Sequence, residues 1–307
     1  MLVDPRTQAG AAYVAVLLAV LIGATLLGIL AVSAVRRSPE TGRALLGKWL
    51  TWVVLATIFA LAAFAGPLGA AVFAALVAVV AVREYAALVD LPRTHRAVLS
   101  AAAVITIGLA LGGPTALLAG VPIFLFVGML LPVVRGDVRR AMRDLAFGAL
   151  GFAYLPVLLG HAVLMETELT AGPQLLFATG AAVAFSDIGA YIVGRTFGRT
   201  PLAPTLSPNK TREGIVGNVL GAAIGYALLL PILPAALWPA VAVLPFVVAL
   251  AAIWGDLFES ALKREFGTKD ASAWLPGFGG LLDRIDSFIL VVPLAYYVLA
   301  AAGAARA

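Results

Sequence analysis

Residues 11–35 read Ala-Ala-Tyr-Val-Ala-Val-Leu-Leu-Ala-Val-Leu-Ile-Gly-Ala-Thr-Leu-Leu-Gly-Ile-Leu-Ala-Val-Ser-Ala-Val, a run without a single charge. About 20 apolar residues suffice for a helix to cross the hydrocarbon core of a bilayer. The run is too long for the core of a signal peptide, so it is expected to remain as a helix. Comparable runs recur near 49–65, 67–82, 97–112, 114–134, 145–165, 173–194, 214–232, 237–259 and 286–303. The expectation is an all-α, polytopic membrane bundle of about ten transmembrane helices. Nine is the lower count, because two runs are short enough for one to be re-entrant. Gly66-Pro67, Gly112-Gly113-Pro114 and the stretch from Pro231 to Pro239 are the breaker residues expected between tightly connected helices.

Composition points the same way. The chain is 62% hydrophobic and 12% charged, whereas soluble domains run about 45–50% apolar and about 25% charged. A mean hydropathy of +1.04 leaves little room for a separate soluble domain. Alanine and glycine dominate many runs, which suits close helix packing where lipid supplies no hydrophobic drive between helices. There is no cysteine, which excludes disulfides, thiolate catalysis and zinc-thiolate sites. His95 and His161 lie too far apart in sequence to form a ligand pair by spacing.

The net charge of +5 is explained by topology, so no nucleic-acid partner is expected. Nineteen of the 21 lysines and arginines fall in alternate connections, and the two others are Arg6 and Arg306 near the ends. The basic connections hold Arg36, Arg37, Arg43 and Lys48; then Arg83, Arg93 and Arg96; then Arg135, Arg139, Arg140 and Arg143. The last two hold Arg195, Arg199, Lys210 and Arg212, and then Lys263, Arg264, Lys269 and Arg284. Lys/Arg bias sets orientation, so these five connections are expected on the cytoplasmic side of a multi-pass plasma (inner) membrane protein. In the first three, the basic residues serve topology and anionic headgroups, at roughly 1 kcal/mol each. The last two also carry acids, glycines and prolines, and function is expected there.

From Ser260 to Asp286 the chain gathers four basic and four acidic residues around Pro276-Gly277-Phe278-Gly279-Gly280. Carboxylates, cations and flexible backbone at a membrane surface suit a metal-bound polyphosphate. Asp256, Glu259, Ser260, Lys263 and Arg264 share one helical stripe. Asp256 lies about a turn inside the apolar run, and an intramembrane charge is a functional candidate by default. A ladder of Asp256 with Ser260 and Glu259 with Lys263 is the plainer alternative, since i,i+4 pairs of this kind are common. Asp283 and Asp286 stand at the start of the next helix, where acids also suit the helix dipole. Asp256 and Asp283 fall at the adjoining ends of two antiparallel helices. Two carboxylates meeting there would hold Mg²⁺, which favours oxygen ligands and substrate phosphates. A second metal ion is left open.

Upstream, Ser186-Asp187-Ile188-Gly189-Ala190-Tyr191 ends a helix, and Leu206-Ser207-Pro208-Asn209-Lys210-Thr211-Arg212-Glu213-Gly214 leads into the next. The second segment offers hydroxyls and cations ahead of a helix N-terminus, a phosphate cradle by type. Gly217, Gly221 and Gly225 read as a packing seam.

Taken together, these segments resemble the phosphatidate cytidylyltransferase (CDP-diacylglycerol synthase) family over roughly residues 180–290. The shared signature falls on Ser260, Lys263, Arg264, Lys269, Asp270, Ser272, Pro276, Gly277, Gly279, Gly280, Asp283, Arg284 and Asp286. Gly255-Asp256-Leu257-Phe258-Glu259-Ser260 and the two upstream segments are similar to the family as well. Phe278 stands where the family has histidine, so no imidazole chemistry carries over, and Asn209 replaces a common second lysine. The resemblance implies residues 1–170 as an N-terminal helical region and 171–307 as the catalytic region.

The implied reaction moves a cytidylyl group from CTP to phosphatidic acid, giving CDP-diacylglycerol and pyrophosphate. Asp256, Asp283, Lys263, Arg264 and Arg284 are then the expected catalytic set. Ser207, Lys210, Ser260, Lys269 and Asp187 are the substrate-binding set, with Asp256, Asp283 and Asp286 the metal ligands for Mg²⁺. Membrane lipids are the surrounding partner, and a homodimer is left open. Three rivals stand beside this reading. One is a CTP enzyme with another lipid acceptor, one an ion-coupled transporter, and one an inactive relative. A transporter would usually show internal repeats and a midplane site, and neither is visible.

Overall fold

The computed structural model describes residues 5–36, 39–135, 140–268 and 279–306. It is a multi-pass helical membrane protein in which ten helical stretches are long and apolar enough to cross a bilayer. In hydrocarbon every backbone N–H and C=O must be satisfied within the chain, which leaves helices as the form for such runs.

The helices follow in order: α1 (Pro5–Arg36), α2 (Pro39–Phe64), α3 (Gly66–Leu88), α4 (Arg93–Leu109) and α5 (Pro114–Arg135). The sixth crossing, Ala141–Glu168, is composite. It comprises α6 (Ala141–Phe152), a π-helical turn over Ala153–Val157 that contains Pro156, and α7 (Leu158–Glu168). Then come α8 (Gly172–Phe197), α9 (Arg212–Leu229), α10 (Trp238–Glu265) and α11 (Leu282–Leu299). The breaker residues stand where they were expected. Gly66 and Gly113 take φ of 79° and 93° at the α2–α3 and α4–α5 turns, a region open to glycine and strained for other residues.

The hairpin between α8 and α9 departs from the helical pattern. It is antiparallel, β1 (Pro201–Ala203) with β2 (Ser207–Thr211), where only a loop was expected. Thr211 accepts a hydrogen bond from the Gly214 N–H and so caps α9. Glu213 accepts from the N–H groups of Arg199 and Thr200.

The composite sixth crossing is the axis of the bundle, with 72% of its most apolar window buried, against 6% for each of the first two crossings. Helices α8 and α9 pack with backbones nearly touching. A side chain added at Gly217 would strike the Gly189 carbonyl, one at Gly221 the Phe185 carbonyl, and one at Gly225 the backbone of Ala182. The glycine seam is therefore real and runs antiparallel. His161 is a core residue whose ring nitrogens face the Val157 carbonyl at 2.9 Å and the Tyr297 hydroxyl at 3.3 Å.

Among the described residues, four of the charged connections gather at one end of the bundle, those between α3 and α4, α5 and α6, α8 and α9, and α10 and α11. Arg140 pairs with Asp90 at 3.2 Å, joining the α3–α4 and α5–α6 connections. Glu84, in the last turns of α3, meets the start of α11, and Lys210 of the hairpin meets Asp256 of α10. At the other end, Arg306 and Thr170 bond across the α7–α8 turn to Glu168 and Ala304, each at 2.7 Å. The four charged connections follow the alternation of the basic residues.

Candidate active site

The site lies where the hairpin, the end of α10 and the start of α11 converge. Its first group centres on Asp256. Lys210 Nζ stands 2.6 Å from Asp256 Oδ2, and the Ser260 hydroxyl donates to Asp256 Oδ1 at 3.2 Å. Lys210 can reach because β2 carries it beside the Thr211 cap of α9, over the end of α10. Both side chains are partly open to the outside, 22% exposed for Lys210 and 36% for Asp256. Asp187 and Asp286 act electrostatically on Asp256 and on each other, with Lys210 among them. Asp187 is exposed on α8, whereas Asp286 is buried and accepts the Ser287 N–H at 2.7 Å.

The second group centres on Lys263, whose ammonium stands 2.5 Å from Glu259 Oε2 and 2.7 Å from Asp283 Oδ1. All three side chains are nearly enclosed, with Glu259 only 1% and Asp283 6% exposed. Asp283 Oδ2 also accepts the Gly280 N–H at 2.7 Å. Asp283 thus bonds the backbone one residue ahead of the α11 N-cap, whereas Asp286 bonds the N–H of its own neighbour. The plainer ladder on α10 is present as well, Asp256 with Ser260 and Glu259 with Lys263.

The two groups are adjacent because α10 and α11 approach closely. Gly255 lies against the Asp286 carbonyl, where a side chain would not fit, and the Ser287 hydroxyl donates to the Ala252 carbonyl at 3.3 Å. The start of α11 is held from outside by Glu84. Its carboxylate accepts the Leu281 N–H at 3.0 Å and the Leu282 N–H at 2.7 Å, so one buried acid satisfies two of the helix's orphan donors.

The remaining expected residues are placed as follows. Ser207 opens β2, half-buried, in register with Ala203. Arg264 is exposed and donates to the Thr268 carbonyl at 3.1 Å, and exposed Arg284 acts electrostatically on Asp187. Lys269, Asp270, Ser272, Pro276, Gly277 and Phe278 lie outside the described residues. Asp256 and Asp283, expected as a pair, are each engaged by a different lysine. The carboxylates acting on Asp256 are Asp187 and Asp286.

Among the described residues no group of three or more His, Cys, Asp and Glu is set to hold a metal ion. Mg²⁺ is commonly held by one or two carboxylates with substrate phosphates and water completing its shell. The Asp256–Asp286 neighbourhood suits that kind of donor set.

Two residues that spacing did not single out belong to this neighbourhood. Glu84 is the acid inside the third crossing, and an ionisable residue there is itself a signal. Tyr154 sits on the π-helical turn and packs edge-on against Phe258 of α10, with ring centroids 4.9 Å apart. Only its place beside Pro156 in the sixth crossing marks it in the sequence.

The sequence profile of the cytidylyltransferase family matches residues 47–302. The chain belongs to the cytidylyltransferase family. Curated relatives agree with that membership. The phosphatidate cytidylyltransferase of Staphylococcus saprophyticus is 39% identical over 158 residues, 51% of this chain and 59% of that protein. That of Thermotoga maritima is 36% identical over 169 residues, 53% and 62% respectively. That of Mycobacterium leprae is 35% identical over 162 residues, 53% and 52%. The chain thus spans about half to three-fifths of the length of these relatives. The cytidylyltransferase profile runs from α2 through α11, so it takes in Glu84 and Tyr154 as well as the charged end.

Proposed function

We propose that this chain transfers a cytidylyl group from CTP to phosphatidic acid, forming CDP-diacylglycerol and releasing pyrophosphate. The site would face the cytoplasm from a plasma (inner) membrane, with the positive connections inside. The observation that carries the reading is the pair of lysines at the charged end of the bundle, Lys210 holding Asp256 and Lys263 holding Glu259 and Asp283. The names of the relatives supply the substrate class.

The chemistry asks little of a base. A phosphomonoester's second pKa is about 6, so a lipid phosphate already arrives as an anionic nucleophile. This agrees with Phe278 in place of an imidazole. What remains is to bring two polyanions into line and to neutralise charge as pyrophosphate leaves, which is positioning and electrostatics. Lys210, Lys263, Arg264, Lys269 and Arg284 would hold phosphate oxygens, and Ser207 and Ser260 would orient them. Asp256 and Asp286, with Asp187 beside them, would hold Mg²⁺. Asp283 would join once Lys263 turns to a phosphate. The metal would supply charge neutralisation on the triphosphate.

The test uses the purified protein in lipid with CTP and Mg²⁺, following pyrophosphate release with phosphatidic acid and with a polyprenyl phosphate as acceptors. Release with phosphatidic acid that falls at least 100-fold in Asp256→Asn is expected. Release only with the polyprenyl phosphate would move the reading to another acceptor. No release with either, or near wild-type turnover in both Asp256→Asn and Asp283→Asn, would overturn it.

A further inference from the structure

On α10 and packed beside it, two buried polar atoms have no hydrogen-bond partner among the described residues, Glu259 Oε1 and the Tyr154 hydroxyl. One is an acceptor and the other a donor. Tyr154 interacts electrostatically with Asp286, Glu259 and Asp256, and of these Asp286 already accepts the Ser287 N–H whereas Glu259 has a buried oxygen without a partner. Tyr154 is 4% exposed and Glu259 1% exposed, so solvent compensates neither. Phe258, the next residue to Glu259 on α10, holds the Tyr154 ring at 61° to its own. The phenol is thus fixed by ring packing while its hydroxyl has no partner, and it stands on a π-helical turn, a distortion often found at functional positions.

The reason for such an arrangement lies in what Lys263 must do. Its ammonium holds Glu259 and Asp283 together. If it turns to a phosphate, Glu259 loses the donor that satisfies its buried carboxylate. An uncompensated buried charge of that kind is strongly unfavourable. A second donor beside Glu259 would remove that obstacle.

We propose that Tyr154 is this donor, a positioning residue that takes over the Glu259 carboxylate when Lys263 moves from Glu259 to a substrate phosphate. Before substrate binds, the lysine holds Glu259 and the phenol is unpaired. Afterwards the phenol donates to Glu259 and the ammonium is free for the phosphate. No proton changes owner; one hydrogen bond replaces another. The residue therefore acts through Glu259 and touches neither substrate.

This inference rests on the reading of the site as one for phosphate-bearing substrates, and its test separates the two. Tyr154→Phe keeps the ring on Phe258 and removes only the hydroxyl. The substrate-free variant should unfold at the same temperature as wild type or higher, because an unpaired buried hydroxyl has gone. The rise in unfolding temperature that Mg²⁺ and CTP give wild type should shrink, and kcat/KM for CTP should fall about tenfold. In a Glu259→Gln background the same substitution should change kcat/KM less than twofold, since a neutral amide no longer needs the phenol. Wild-type kcat/KM in Tyr154→Phe overturns the proposal. So does a tenfold loss that persists in the Glu259→Gln background, or a lowered unfolding temperature without substrate. A wild-type protein that neither turns over CTP nor is stabilised by it overturns the functional reading and takes this proposal with it.

Discussion

Lys263 and Arg264 are neighbours in sequence, yet their surroundings assign them opposite sensitivities. Lys263 bridges two enclosed carboxylates, whereas Arg264 is exposed and bonded to its own chain at Thr268. Removing one partner of a buried ion pair costs about 3–5 kcal/mol, because a charge is left uncompensated. Lys263→Met should therefore lower the unfolding temperature and, on the proposed function, also abolish cytidylyl transfer. Arg264→Met, a surface change, should alter stability by no more than about 0.5 kcal/mol. If Arg264 holds the triphosphate, that variant raises KM for CTP while folding normally. Thermal unfolding of both variants in the same detergent, beside CTP kinetics, checks the contrast. A stable Lys263→Met would remove the lysine from the role of a structural bridge, and an unchanged KM in Arg264→Met would remove the arginine from phosphate binding.

At the scale of elements, the start of α11 depends on a residue in α3. Glu84 supplies both acceptors for Leu281 and Leu282, and each unmet buried donor costs about 1–3 kcal/mol. Glu84→Ala should thus destabilise the protein by a few kcal/mol and loosen the helix that carries Asp283 and Asp286. Glu84→Gln keeps one acceptor oxygen and should fall between. Equal unfolding temperatures for wild type and Glu84→Ala would show that the cap contributes nothing. This contact joins residues 197 and 198 positions apart, and nothing in local spacing could reveal it. The glycine seam was legible because Gly217, Gly221 and Gly225 repeat at helical spacing on one element. The Asp256–Ser260 and Glu259–Lys263 pairs were legible for the same reason. The Lys210–Asp256 pair was not, because which lysine meets which carboxylate depends on a hairpin of three and five residues that carries no alternating pattern. The π-helical turn escaped as well, since Pro156 in an apolar run announces a distortion without saying which side chain it turns inward.

For the whole molecule, the apolar runs gave a count of about ten helices, and ten such stretches stand among the described residues; four of the five basic connections are found together at one end. Orientation is a further step that charge distribution alone argues. Nineteen basic residues lie in alternate connections, and the Lys/Arg bias of short loops is what sets topology. The chain has no cysteine, so a single introduced thiol reports its own position without background. Thr205, between β1 and β2, belongs to the charged end, and Ala236, between α9 and α10, to the opposite end; both are exposed and uncharged. Replacing either leaves the charge balance that directs insertion untouched. In intact spheroplasts, a membrane-impermeant maleimide should modify Ala236→Cys at once and Thr205→Cys only after lysis. The reverse pattern would place the charged end outside and exclude a site that draws on cytoplasmic CTP. Labelling of both thiols before lysis would mean that the segment between them, which contains α9, does not cross the bilayer.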